Sequence, residues 1–192
     1  MFIDTRSELM SKVIFPKRSK RLRHCLYSAV FAALTAVMAQ IALPFGQIPV
    51  SLATFAVLCS AALLPGMWGT ASMLVYIAMG VCGLPVFSGF RSFTALAGPT
   101  GGYIAGYVLC AATVGLVRIL CGKRISALYL ALGMVAGTLL LYITGTVWFC
   151  VYSGCTVGAA LGVAVMPYVP FDALKIVAAT FASQRIRHHI NL

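Results

Sequence analysis

Long apolar stretches that contain almost no charged residues dominate this sequence. Of the 192 residues, 61% are hydrophobic and only 9% are charged, whereas charged residues make up about one quarter of a soluble globular domain. A helix needs about 20 consecutive apolar residues to cross a bilayer. The sequence therefore predicts a single integral membrane domain, because little of the chain is left for a soluble one.

Proline, glycine and charged residues divide the apolar sequence into six predicted spans. These spans cover residues 25–43, 50–64, 67–84, 101–120, 127–148 and 170–183. We predict an all-α fold with six transmembrane helices over 25–185, a basic tail over 1–24 and a short tail over 186–192. Three predicted loops, 44–49, 85–100 and 149–169, are apolar and rich in Gly and Pro. Irregular backbone near membrane depth must pack on protein or line a cavity, so we expect these loops to roof a cavity.

The basic residues are distributed unequally between the two predicted faces. Seven of the 14 Lys and Arg residues precede residue 24, and Arg118, Lys123 and Arg124 fall between the fourth and fifth spans. Arg185 and Arg187 follow the last span. The positive-inside rule then places both termini in the cytoplasm of a multi-pass protein of the plasma membrane. Beside a membrane domain, the basic tail favours contact with anionic lipid over nucleic acid.

One acid and one base occur at depth, in the stretch PYVPFDALKIV. Asp172 is one of three acidic residues in the chain, and Lys175 follows it three positions later. On a helix, this spacing places both side chains on one face. The two opposite charges could serve only to neutralise each other, so that the helix can insert into the membrane. An ionisable residue inside a span is, however, a candidate functional residue by default, and we interpret the pair as a polar clamp in a cavity.

A second candidate region is the stretch GLPVFSGFRSFTALAGPTGGYIAGY. Its glycines allow a tight turn into the fourth span, where free N–H groups at a helix N-terminus favour an anion. Arg91 could bind a carboxylate there, although contact with a lipid headgroup is an equal alternative. Tyr103 and Tyr107 follow on the span, and an interfacial aromatic position is favoured for Tyr107.

Small residues form two ridges on the first span. Ser28, Ala32 and Ala36 recur at four-residue spacing, and Ala29 and Ala33 form a neighbouring ridge. Such ridges allow close approach of a second helix in a membrane. The pattern also follows from the ordinary alanine content of spans, so by itself it is a weak signal for a partner helix.

The sequence lacks the motifs of several other functions. The three histidines, His24, His188 and His189, lie outside the predicted spans, so a Ser-His-Asp triad or a metal centre at depth is not expected. The seven cysteines form no CxxC pair, and a disulfide between Cys150 and Cys155 is left open. The Walker pattern is absent too. We therefore expect no enzymatic activity and no cofactor, and active transport would need energy from another protein.

Four segments in order, LPFGQIPVSLATFAVLCSAALL, GVCGLPVFSGF, GPTGGYIAGY and YVPFDALKIVAA, resemble the BioY family. This family comprises the biotin-specific substrate-binding (S) components of energy-coupling-factor (ECF) transporters. The resemblance covers residues 25–185. It implies six helices, a substrate pocket near the outer face, and docking of the first helix on a transmembrane coupling subunit. Two cytoplasmic ATPase subunits would then supply the energy, so ATP would bind only to partners.

Matching the chemical groups of biotin to the residues of these segments suggests roles for particular residues. Asp172 would accept hydrogen bonds from the ureido N–H groups of biotin, Lys175 would donate to the ureido carbonyl or to the carboxylate, and Arg91 would suit the carboxylate. Four aromatic residues could wall the apolar part of biotin: Phe87, Phe90, Phe93 and Tyr103. The docking surface would comprise Ser28, Ala29, Ala32, Ala33 and Ala36.

The sequence departs from the family pattern at Ala53, where Gln is usual, and at Phe171, where Gly is usual. Both departures leave the detail of the pocket open. The alternatives are an S component for a biotin precursor or another vitamin and, from a different class, a small intramembrane enzyme or scaffold that uses Asp172 as an acid.

Overall fold

A computed structural model describes residues 20–43, 49–122 and 125–189 of the chain. These residues form eight α-helices and one antiparallel pair of two-residue strands, so the all-α prediction holds except for this small β element. Most of the predicted basic tail, residues 1–19, lies outside the described residues. The same is true of Lys123, Arg124 and the last three residues of the chain.

The first half of the described chain contains helix α1 (Lys20–Gln40), strands β1 (Ala42–Leu43) and β2 (Val50–Ser51), and helices α2 (Ala53–Leu63) and α3 (Trp68–Val81). The two strands pair antiparallel, with Leu43 opposite Val50. The strand pair takes up the end of the predicted first span and the start of the second, so α1 ends at Gln40 and α2 begins at Ala53. The strand pair fixes the entry to α2, because the Leu52 N–H donates to the Ile41 carbonyl at 3.0 Å.

The second half contains the short helix α4 (Phe93–Ala97), the long helices α5 (Gly101–Cys121) and α6 (Ala127–Ser153), helix α7 (Val157–Ala164) and the final helix α8 (Val169–His189). The prediction of a loop over 149–169 was wrong. Helix α6 continues to Ser153 and ends at Gly154, whose φ of 64° is the left-handed conformation that favours glycine at a helix C-terminus. The hydroxyl of Thr156 then accepts from the Ala159 N–H at 3.4 Å and caps the start of α7.

Three of the described helices, α1, α5 and α6, are long and apolar enough to cross a membrane. Helices α7 and α8 together make a fourth candidate span, bent by 56° at the break between them. Helices α2 and α3 are apolar but shorter, with 11 and 14 residues. The chain is thus a mostly helical, membrane-embedded protein.

Glycines allow α5 and α6 to pack with their backbones close together. A Cβ atom on Gly102 would lie 2.2 Å from Cβ of Trp148, and one on Gly106 would lie 2.6 Å from the Thr144 hydroxyl. A side chain at either position would force the helices apart. This close packing places Tyr103 of α5 against Gly145 of α6, in the wall of the site described below.

The structure separates the two small-residue ridges of α1. Ser28 and Ala32 are buried inside the protein, and the Ser28 hydroxyl donates to the Trp68 carbonyl of α3 at 2.9 Å. These two residues therefore pack within the chain and cannot form the exposed part of a docking surface. Ala29 and Ala33 are exposed and Ala36 is half-buried, so Ala29 and Ala33 are the exposed members of the predicted docking set.

Candidate functional site

The acid and base singled out in the sequence form a buried ion pair in the first turns of α8. Nζ of Lys175 lies 2.8 Å from Oδ1 of Asp172. The residues are only 8% and 7% exposed, respectively. A buried charge without a partner would cost several kcal/mol, so each of the two ions stabilises the other at this depth.

One residue of β2 and one at the start of α2 complete the surroundings of the ammonium group. Nζ of Lys175 donates to the Ser51 carbonyl and to the Thr54 hydroxyl, each at 2.8 Å, in addition to Asp172. An ammonium group has three N–H donors, so all three have acceptors. This set of hydrogen bonds joins α8 to the turn between β2 and α2.

The two oxygens of Asp172 have different partners. Oδ1 accepts from Lys175 and, at 3.3 Å, from the Thr54 hydroxyl. Oδ2 accepts from the Tyr142 hydroxyl of α6 at 2.6 Å. A carboxylate offers about four lone-pair sites, so Oδ2 retains one site for a further donor.

The ion pair lines a cavity of about 390 Å³, a volume that includes its opening to solvent. Thr54 and Tyr142 line the same cavity, together with Tyr168 from the segment that precedes α8. The polar groups are thus presented to an open space between helices, surrounded by aromatic rings. Such a combination is typical of a small-molecule site.

A second cavity, of about 430 Å³ including its opening to solvent, adjoins the first. Its lining includes Arg91, Phe87 and Tyr76. Four residues line both cavities and form their common wall: Pro49, Ser51, Tyr103 and Tyr107. The arrangement places a cation-bearing pocket beside the pocket that holds the acid and base.

The predicted aromatic residues divide into two groups. Phe87 and Tyr103 are buried and line the cavities, and the Tyr103 hydroxyl donates to the Ala164 carbonyl at the end of α7 at 3.0 Å. Phe90 and Phe93 are 73% and 57% exposed and line neither of the two cavities. The structure therefore does not place Phe90 and Phe93 in the candidate site.

Tyr107 is a further correction, because it is buried in the common wall and does not point out of the protein as an interfacial aromatic residue would. Its position one helical turn after Tyr103 was the signal that could have placed both rings on the same face.

Three site residues were missed in the sequence: Ser51, Thr54 and Tyr142. Thr54 stands in a motif that the resemblance had already singled out. Cys150 and Cys155 are free thiols in this structure.

A sequence model described as the BioY family matches residues 10–191. The biotin transporter BioY of Thermotoga maritima is 37% identical over 167 residues, which cover 86% of this chain and 96% of that protein. The probable biotin transporter BioY of Pyrococcus horikoshii is 35% identical over 160 residues, which cover 83% of this chain and 93% of that protein.

The fold is also similar to a crystal structure of the S-component for biotin from an ECF-type ABC transporter. The TM-score is 0.81, with 20% sequence identity, and the match covers 91% of this chain and 95% of that one. At this level of identity the structural match supports the fold, and the sequence matches establish the relationship. The chain belongs to the BioY family.

Proposed function

We propose that this protein is the membrane-embedded component that binds biotin for uptake. Its relatives in Thermotoga maritima and Pyrococcus horikoshii are named as a biotin transporter and a probable one, so it is a transport protein and not an enzyme. The observation that carries the proposal is the buried pair of Asp172 and Lys175 on a cavity wall. A cyclic urea has both donors and an acceptor, and would match this pair.

We assign the ureido ring of biotin to the cavity that holds the ion pair. The free lone-pair site on Oδ2 of Asp172 can accept one ureido N–H. Lys175 already has three acceptors, so it would reach the ureido carbonyl by giving up one of them, such as the Ser51 carbonyl. The exchange keeps all three N–H donors of the Lys175 ammonium group paired with acceptors.

We assign the carboxylate of biotin to Arg91 in the adjoining cavity. A guanidinium group binds a carboxylate through paired N–H donors. Among the described residues, no hydrogen bond or ion pair occupies the Arg91 side chain. The apolar body would then pass along Tyr103 and Phe87, which are already buried in the walls.

The proposed topology has six membrane-crossing helices, with both termini in the cytoplasm and the site near the outer face. The six are α1, α2, α3, α5, α6 and the bent α7–α8 pair. Basic residues at the cytoplasmic side would interact with anionic lipid. Of the two short helices, α2 is buried along most of its length and α3 buries one face.

We further propose that the protein works with an ECF module, made of a transmembrane coupling subunit and two cytoplasmic ATPase subunits. The structurally similar protein is an S-component of an ECF-type transporter, which supports this assignment. ATP would bind the partners, and this chain would need no cofactor. The exposed ridge of Ala29 and Ala33 on α1 is the proposed docking surface.

Equilibrium titration of the purified protein in detergent or nanodiscs tests the substrate. We expect saturable binding of biotin and no saturable binding of riboflavin or thiamin at matched concentrations. Dethiobiotin, which keeps the ureido ring, tests the precursor alternative. Binding of riboflavin or thiamin without binding of biotin would overturn the proposal.

A further inference from the structure

The side chain of Gln40, the last residue of α1, reaches across to the turn that carries Arg91. Its Nε2 donates to the carbonyls of Val86 and Phe87 at 3.3 and 3.2 Å. Its Oε1 accepts from the Phe90 N–H at 3.0 Å. One amide therefore makes three hydrogen bonds to a single short segment, 46 to 50 residues away in the sequence.

The segment that Gln40 contacts is a tight turn with a strained backbone. Phe87 and Arg91 exchange both backbone hydrogen bonds, at 3.0 and 3.2 Å. Between them Gly89 has a φ of 73° and Phe90 has a φ of 56°. A bulky residue with positive φ is an outlier that persists only where its surroundings hold it.

The two ends of this turn are held differently. At one end, Phe87 is buried and packs edge-on against Tyr76, with ring centroids 5.2 Å apart. At the other end, Phe90 and Arg91 are exposed, so packing does not fix them. The Gln40 Oε1 is the side-chain acceptor for the Phe90 N–H, directly before Arg91.

We propose that Gln40 is a positioning residue that holds Arg91 at the mouth of the cavity and thereby sets the preference for an anionic ligand tail. This inference rests on the proposed function, in which Arg91 binds the carboxylate. Gln40 does not line either of the two cavities. It acts through the backbone of the turn, so its loss should affect the tail of the ligand and spare the ureido head.

The test compares biotin with biotinamide, whose tail is neutral, in equilibrium titrations of the purified protein. Gln40→Met keeps the length of the side chain and removes the amide. Arg91→Met removes the proposed tail contact itself. Gln184→Met makes the same chemical change in α8, three helical turns beyond Asp172, and serves as the matched control.

We expect Gln40→Met to weaken the binding of biotin by about tenfold and to leave the affinity for biotinamide within about twofold. The tenfold loss is the size expected when the charged hydrogen bonds between Arg91 and the ligand carboxylate are weakened. Arg91→Met should likewise weaken biotin and spare biotinamide, and Gln184→Met should change neither. The biotinamide titration also reports whether each variant is folded.

The inference about Gln40 is overturned if Gln40→Met weakens both ligands equally or changes neither, while Arg91→Met still acts on biotin alone. The proposed function would survive that result. If Arg91→Met itself leaves the preference for biotin over biotinamide intact, the assignment of the carboxylate fails, and the role of Gln40 fails with it.

Discussion

The hydroxyl of Tyr142 donates a 2.6 Å hydrogen bond to Oδ2 of Asp172, the oxygen that faces away from Lys175. The tyrosine lies in the middle of α6, and the acid lies in the first turns of α8. The contact therefore fixes the orientation of the carboxylate from a second helix. Both residues line the same cavity, so a ligand that binds the carboxylate meets an oriented group.

Replacement of Tyr142 by Phe should weaken biotin binding by roughly three- to tenfold, because the carboxylate loses a charge-assisted hydrogen bond while the ring remains. Calorimetric titration of the purified variant measures the effect. Tyr129→Phe is the matched control, since Tyr129 lies on the same helix and is 58% exposed. Equal affinities for Tyr142→Phe and the wild type would show that this hydroxyl does not contribute to the site.

Gly145→Ala should reduce biotin binding without preventing insertion. A Cβ atom at Gly145 would lie 2.3 Å from Cε1 of Tyr103, so the ring must move within the common wall of the two cavities. Gly162→Ala in α7 is the control, because a Cβ atom there meets nothing within 4 Å. Binding and thermal unfolding should both be measured. If Gly162→Ala lost biotin binding while Gly145→Ala kept it, the assigned role of the Tyr103 ring would be contradicted.

Two substitutions on α1 should separate docking from folding. Ala33→Trp adds bulk to an exposed ridge, so it should preserve biotin binding and block co-purification with the coupling subunit. Ala32→Trp adds the same bulk at a fully buried position, and overpacking there should lower the thermal stability of the isolated protein.

Leu34→Trp is the control for this pair, since Leu34 is 38% exposed and points about 100° around the helix from Ala33. It should preserve both biotin binding and complex formation. Normal recovery of the coupling subunit with Ala33→Trp would place the docking surface elsewhere on the protein.

Periodic and local features of the fold were predictable from the sequence. The apolar runs 101–120 and 127–148 predicted α5 and most of α6, because length and hydropathy alone determine a long span. Helix α7 was missed because its glycines suggested a loop. The local signals were nevertheless present, with Gly154 as a helix terminator and Thr156 as an N-cap.

The chemistry of the site was predictable only in part. Asp172 and Lys175 stand out because charge is rare at depth and three-residue spacing places them on one helix face. Thr54 contacts Lys175 across 121 sequence positions, and Tyr142 contacts Asp172 across 30. Such contacts depend on how the helices pack, and a single hydroxyl in an apolar run does not reveal its partner. Phe90 and Phe93 lie outside both cavities, and the sequence does not show which side of a loop faces inward.

In the proposed site, the buried pair of Asp172 and Lys175 binds the ureido ring of biotin. Calorimetric titration of purified Asp172→Asn and Lys175→Met with biotin tests this assignment, with thermal unfolding of each variant as the folding control. We predict that each variant inserts in the membrane and binds biotin at least about tenfold more weakly, because the remaining member of the pair loses its partner. Wild-type affinity in folded Asp172→Asn protein would contradict the account.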